Sequence, residues 1–570
     1  MGSIANGLLR SALLVVACLC ASAQGLAADE EPPPPEDGIV DGASHAFYGK
    51  DQGGWVDLRK QFRDLRLYGR RGQRQILYIL DGKYEEAVSD CESYLDSEPN
   101  DLESLFNLTV ARCKLKDYAG AAKSMTTALE RGLPFTRFLA GPRELLEPLR
   151  NTEEFRRYAA QNRLQLIHGP MLGSLTETSA RFWVRTVDEV PVRVLASQSK
   201  DLSNPVESTR ASTSSEVDYT AVVEVGGLQP DTVYYYDLTL SGESVLAPER
   251  PSFRTYPRSS SGTRSSVVFG GGAKYTPANE RMWDTIRKHG AEAMLLLGDN
   301  VYIDYPQQFG AFHQYTYYRR QSQPDFRRLV QSVPVFAIWD DHDAAIGDSW
   351  MGPYRDKPAW KMSMLDGFRM NWNNPGYGSE QWPACWFKFS IADVDFFLLD
   401  GRFYRTNPYG DSPSMLGPVQ KAWLLNELTQ SNATFKVLAS PVPWSFGTKG
   451  ESRDTWNGFR DERDEIFGFL EENRIDGVIL IAADRHRSDA RRIDRENGYP
   501  LYEFESSRLT NMHSHNLTAG TLFGYNEKPS FGLLNFDTTK ADPTVTYQII
   551  SIDNETVHSL TLEKSEISHN

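Results

Sequence analysis

The residues best suited to chemistry stand where apolar runs end. Residues 293–297 lead into Gly298-Asp299-Asn300-Val301-Tyr302, residues 335–338 into Trp339-Asp340-Asp341-His342-Asp343, and residues 477–481 into Ala483-Asp484-Arg485-His486. Each motif alone has an ordinary explanation, such as a helix cap or a solvated loop. Together they bring carboxylates, imidazoles and a phenol to one kind of place three times. Unpaired carboxylates gathered in one site repel and raise each other's pKa, so such a concentration of hard ligands points to bound metal ions.

The elements that must carry these motifs come in three regions. From about residue 265 to 555, apolar strands at 266–269, 293–297, 335–338, 394–399, 435–438 and 477–481 alternate with helical stretches at 279–289 and 418–428. That pattern predicts an α/β layered sheet with its chemistry at the carboxyl ends of the strands. Residues 166–256 alternate polar and apolar side chains and predict a small β-sandwich. Within it, Leu228-Gln229-Pro230-Asp231-Thr232-Val233-Tyr234-Tyr235-Tyr236 resembles the fibronectin type III signature, and no chemistry is assigned there. Residues 55–163 read as helical, with Leu58, Phe62 and Leu65 on one face. Tyr84 and Tyr118, Ala87 and Ala121, and Leu95 and Leu129 recur at the tetratricopeptide period. Such a unit either offers a groove to a peptide or protein partner or docks as a helical module on its neighbour. The basic stretch 59–74 reads as a solvated or docking face.

Arg10, a short apolar run over 12–20 and the small residues Ala21, Ser22 and Ala23 have the form of a secretory signal, here bounded at residues 1–28. Val15-Val16-Ala17-Cys18 also loosely resembles a lipoprotein box, which would anchor the protein at Cys18. The expected location is periplasmic or extracellular. No later run is long and apolar enough to predict a membrane span. The proline-rich segment within 29–54 predicts an extended linker. Of the remaining cysteines, Cys91 and Cys113 share a helical region and read equally as a bridge or as two buried thiols. The 61 Lys and Arg against 76 Asp and Glu give a net charge of −15, without a nucleic-acid-binding signature. An anionic substrate must then be drawn by local positive charge.

Over about residues 166–555 the chain resembles the PhoD-like (alkaline phosphatase D) metallophosphoesterases. The resemblance rests on the β-sandwich before the catalytic region, Leu297-Gly298-Asp299-Asn300-Val301-Tyr302, Trp339 to His342, Leu399-Asp400-Gly401-Arg402-Phe403-Tyr404-Arg405, Leu416-Gly417 with Gln420 and Trp423, and Asp484-Arg485-His486. It implies a hydrolase of phosphoric mono- or diesters with two or more metal ions of Fe, Ca, Mn or Zn type. Asp299 would bridge two metals, Tyr302 and His486 would serve one, and Asp341 and Asp484 the other. A metal-bound hydroxide would attack in line, with His342 near the phosphoryl oxygens. Arg402 is expected either as a bidentate phosphate ligand or in an ion pair with Asp400 or another acid, and Arg485 and Arg487 share that ambiguity.

The sequence departs from the family pattern twice. Where the family carries Gly-Ser-Cys, this chain has Gly270-Gly271-Gly272-Ala273-Lys274. Gly271, Gly272 and Lys274 could instead cradle an anion, which leaves a catalytically weak scaffold that binds anions or peptides as the alternative function. After His342 the family commonly has Asn residues, whereas this chain continues with Asp343. Residues 305–320 and 506–525 are expected at the cleft mouth, with His513 and His515 as loop residues rather than ligands.

Overall fold

The computed structural model describes residues 46–49, 54–57, 68–259 and 261–569. The signal with Cys18, most of the linker, and Leu58, Phe62 and Leu65 lie outside the described residues. Ala46–Gly49, inside the segment read as linker, pairs antiparallel with Gly54–Asp57, whose last three residues are strand where the sequence reads as helical.

Four helices follow: Tyr68–Leu80, Tyr84–Ser97, Leu102–Lys114 and Tyr118–Glu130. Asp101 and Asp117 cap the last two, accepting from the backbone N–H of Ser104 and Gly120, which satisfies donors a helix start leaves open. Ala87 and Ala121 are fully buried and let neighbouring helices approach. Cys91 and Cys113 are both buried and are not joined in a disulfide. Arg74, from the basic stretch, pairs with Asp90.

Residues 166–254 form two antiparallel sheets. One holds Leu166–Gly173, Ala180–Thr186 and Thr220–Val225; the other is built on Pro191–Ser197 and Val233–Leu240. Phe182 lies between them, 4.6 Å from Tyr236 and 5.7 Å from Phe253 by ring centroids. This region is tied to the larger one that follows through buried polar contacts. The Trp183 indole donates to the Met370 carbonyl at 2.9 Å, and Arg185, fully buried, reaches Asp218 and Asn371 at 2.9 Å.

The remainder stacks two larger sheets. The first runs Val335–Ile338, Ala293–Leu297, Arg264–Gly270, Ser530–Asp537, Thr544–Ser551 and Thr556–Glu563, and its first three strands are parallel. The second runs Phe387–Ile391, Val394–Leu398, Phe435–Ala439, Val478–Ala482, Leu501–Ser506, Ser488–Ile493 and Thr521–Tyr525, with the second to fifth parallel. Ala293–Leu297, Val394–Leu398, Phe435–Ala439 and Val478–Ala482 are buried at every position, which is why they read as predominantly apolar runs, broken only at Asp395 and Lys436. Aromatic rings fill the space between the sheets: Phe504 on Tyr547 at 4.3 Å, and Phe536 against Phe435 and Phe396 at 5.6 and 6.0 Å. The sheets join at one end, where the Gly271 N–H donates to the Ser506 carbonyl and the Leu509 N–H to that of Gly271. The carboxyl ends of both parallel sets therefore open onto one space.

The helical region docks behind that space. Asn107 and Glu103 meet the Tyr315 hydroxyl on the helix Ala311–Gln321, and Arg137 lies over Phe106 at 3.9 Å and over Tyr315 at 4.9 Å. Gln73 Nε2 donates to the Tyr302 carbonyl at 2.7 Å and to Thr316 at 3.3 Å. Replacing Gln73 by Ala leaves that carbonyl buried without this donor. A loss of about 1–3 kcal/mol is expected, read as a lower midpoint in chemical denaturation of the full chain.

Candidate metal centre at the strand ends

Close backbone approach builds the site. Gly298 has φ +102°, and a Cβ there would fall 2.4 Å from Cβ of Asp340, so the loops after two adjacent parallel strands touch only because this position lacks a side chain. Asp299, Tyr302, Asp484 and His486 all take the left-handed conformation, with φ of +56°, +53°, +69° and +47°. That region is unfavourable for residues with a Cβ, and its concentration on four candidate ligands marks a functional constraint. Asp343 clamps the loops together: its carboxylate accepts from the backbone N–H of Asn300, Val301 and Asp340 at 2.9–3.1 Å. The acid that departs from the family pattern thus holds backbone.

Tyr302 Oη stands 2.8 Å from His486 Nε2, and Asn511 Nδ2 donates to the same Oη at 2.8 Å. His486 Nε2 lies 3.7 Å from Asp299 Oδ2. The Tyr302 ring stacks on His342 at 4.5 Å, and Nδ1 of His342 bonds Asp304. Asp299, Asp341 and His342 each place a ligand atom within 4.8 Å of the others. Asp341 accepts from the backbone N–H of His342 at 2.8 Å and of Asp348 at 2.5 Å. Asp484 faces Lys449 at 3.4 Å and Arg485 at 3.6 Å.

The electrostatics of this cluster fit a cation. Burial, opposed by His342 and reinforced by Asp341 and Asp484, pushes the Asp299 carboxyl up to about 7. Asp299 Oδ1, Asp484 Oδ2 and His486 Nδ1 are buried without a hydrogen-bond partner among the described residues. Burial takes His486 down to about 3, so its imidazole is neutral, the form that binds metals. Burial and Asp299 push the Tyr302 phenol well above its ordinary value, so ionising it calls for a cation alongside. A donor set of carboxylates, imidazole and phenol with open lone pairs suits Fe, Mn or Zn, and the carboxylates also suit Ca.

A second acidic group, Asp341, Asp348 and Asp454, is balanced by the protein itself. Asp454 accepts from Arg402 and Arg405 at 2.7 Å and from Lys449 at 2.7 Å, and Lys449 reaches Asp348 at 2.5 Å. Despite the cost of burial, Asp454, Asp484 and Asp348 hold Lys449 firmly cationic.

The structure selects between the two fates expected for Arg402 and overturns the anion cradle expected at the glycine run. Arg402 is fully buried, with Nε on Asp340 at 2.5 Å, Nη1 on Asp454 and on the Ser349 carbonyl at 3.0 Å. Against burial, Asp340, Asp454 and Asp341 raise its pKa. Its guanidinium is spent on protein acids, so it does not act as a phosphate ligand; Asp400 instead takes the Arg402 backbone N–H. The amides of the glycine run are engaged too: Gly271 donates to Ser506, Gly272 to the Gly298 carbonyl and Ala273 to that of Asp299. They do not form an anion cradle. Gly272 has φ +68°, and a Cβ would meet the Arg508 nitrogen at 2.8 Å. Lys274 does stand in the cluster, its Nζ 5.5 Å from the Tyr302 ring centroid. Arg487 takes the ion-pair alternative, with Nε on Asp489 at 2.9 Å.

Sequence reasoning missed Asn511, Asp304, Asp348, Lys449 and Asp454, which lie in irregular loops. His513 and His515, read as loop residues, come within 5.3 Å of the His486 ring by centroids. Their spacing within the segment flagged as the cleft mouth was the available signal.

Residues 267–549 match the model of the PhoD-like phosphatase family, and residues 163–258 match a domain of unknown function, DUF7800. Alkaline phosphatase D of Bacillus subtilis (strain 168) is 22% identical over 313 residues, 47% of this chain and 53% of that protein. The chain thus matches about half the length of this curated relative. The solved structure of PhoD superposes with a TM-score of 0.58 at 17% identity, covering 70% of this chain and 90% of that one. Purple acid phosphatase PPD1 from yellow lupin (Lupinus luteus) seeds gives 0.52 at 11% identity, covering 70% and 75%. These two share the fold. Residues 267–549 of this chain thus form a PhoD-like phosphatase domain.

Proposed function

We propose that the protein is an exported, metal-dependent hydrolase of phosphoric mono- or diesters. The observation that carries this reading is the buried cluster of Asp299, Tyr302, Asp341, Asp484 and His486, whose carboxylates are only partly neutralised by the protein. Asp299, Tyr302 and His486 would hold one cation, and Asp299, Asp341 and Asp484 a second. Bound there, cations would neutralise phosphoester charge and supply the Lewis acidity that activates water at neutral pH.

The chain's own groups do the rest. Asp304, itself fully buried, engages Nδ1 of His342 and orients the ring, which Tyr302 supports by stacking. The His342 side chain is 25% exposed against 3% for Asp299, so it is the cluster member that reaches an incoming substrate. With Nδ1 held, Nε2 is left to donate to the leaving oxygen or to a phosphoryl oxygen. Arg485 and Lys274 border the cluster and would add positive charge beside a bound phosphate. The helical region, read as tetratricopeptide-like, and the two-sheet region, read as fibronectin III-like, serve as modules that brace the catalytic loops. Among the described residues no helix is long and apolar enough to cross a membrane.

Purified full-length protein should release phenolate from a mono- or bis-aryl phosphate, and chelation should abolish turnover until metal is restored. Asp299→Asn should lower kcat by at least about 100-fold. The absence of turnover across a panel of metals and aryl phosphates would overturn the reading. His342→Ala should lower kcat about 100- to 10,000-fold while leaving bound metal unchanged by elemental analysis, and Asp304→Asn should fall between it and wild type. Arg402→Met, by contrast, should act on stability. Stranding Asp340 and Asp454 in the interior costs about 3–5 kcal/mol, measured by denaturant unfolding.

A further inference from the structure

Beside the carboxylate cluster lies a second group of potential ligands of different chemistry. His486, His513 and His515 each place a ring nitrogen within 4.8 Å of those of the other two. The His513 and His515 rings are 4.5 Å apart, and each lies 5.3 Å from that of His486. His486 is 7% exposed, keeps Nε2 on Tyr302, and leaves Nδ1 buried without a hydrogen-bond partner among the described residues. Three imidazoles drawn from a loop and a strand end, with one nitrogen orphaned in the interior, have no packing explanation as simple as a shared cation.

The backbone holds this arrangement. Asn511 bonds the Tyr302 hydroxyl through Nδ2 and accepts the His513 N–H at 3.0 Å through Oδ1. Asn526 donates to the His515 carbonyl at 3.0 Å, and its own carbonyl receives Ser514 Oγ and Arg508 Nη1. The loop that carries both histidines is thus pinned at both ends. Three nitrogens bound at about 2.0–2.1 Å to one tetrahedral ion would stand about 3.4 Å apart. His513 is the exposed member of the group.

We propose that His486, His513 and His515 form a nitrogen-donor site for a borderline divalent cation of the Zn2+ class, beside the carboxylate-dominated positions around Asp299 and Asp341 and sharing His486 with the first of them. Three imidazoles without a carboxylate favour Zn2+, Co2+, Ni2+ or Cu2+ over the hard cations Ca2+ and Mg2+. The site stands whether or not the Asp299 cluster hydrolyses phosphoesters.

The test is titration of metal-stripped full-length protein with Zn2+ against a chromophoric chelator, and separately with Co2+ followed by visible absorption. Wild type should take up one more equivalent of Zn2+ than the variant His513→Ala/His515→Ala, or bind that equivalent at least 10-fold more tightly. The variant should also lose the Co2+ band, while Ca2+ binding is the same in both proteins. Asp299→Asn should lose a different equivalent and keep the one that depends on His513 and His515. Equal Zn2+ stoichiometry and affinity in wild type and the double variant, with both folded by near-ultraviolet circular dichroism, would overturn the proposal. Loss of turnover in Asp299→Asn with the His513-dependent equivalent intact separates this site from the catalytic reading.

Discussion

Repulsion among carboxylates buried at the carboxyl ends of parallel strands is the constraint on which the rest of this structure depends. Asp299, Asp340, Asp341, Asp454 and Asp484 are all largely withdrawn from water, and like charges so placed cannot all remain ionised unless positive charge is supplied. The protein solves half of the problem internally. Arg402, Arg405 and Lys449 converge on Asp454 and reach Asp340, Asp348 and Asp484. The other half stays open: Asp299 is pushed up to about 7, and oxygens of Asp299 and Asp484 lack hydrogen bonds among the described residues. This division separates a structural ion network from a cluster that calls for external cations.

The larger architecture serves that cluster. Joining the two sheets through Gly271, Ser506 and Leu509 brings strand ends from both onto one space. Left-handed backbone at Asp299, Tyr302, Asp484 and His486 aims the side chains inward, a conformation that persists only when its surroundings enforce it. Asp343 supplies part of that enforcement through three backbone amides, and Gln73 supplies more from a helix 229 residues away in sequence. The helical region is therefore attached to the loop that carries Tyr302.

What could be read from sequence follows from what is local. The strand-end motifs were legible because a fully buried strand is a continuous apolar run, and the polar residues that break it stand out. Arg402 was visible as a residue with two fates, and only tertiary packing could choose, since Asp340 and Asp454 lie 62 and 52 positions away. Lys449 and Asp454 sit in a loop without periodicity and left no trace. The glycine run looked open to an anion because sequence does not show where backbone amides go. His513 and His515 looked incidental because their relation to His486 exists only once the loop folds back.

On this reading, metal ions neutralise the open carboxylates at the strand ends. Anomalous diffraction from crystals of the purified protein, recorded at the absorption edges of the metals found by elemental analysis, tests it most directly. Anomalous peaks are expected between Asp299, Tyr302 and His486 and between Asp341 and Asp484. A cluster of the same geometry with no metal peak there, after incubation with Fe, Mn, Zn and Ca, would contradict it.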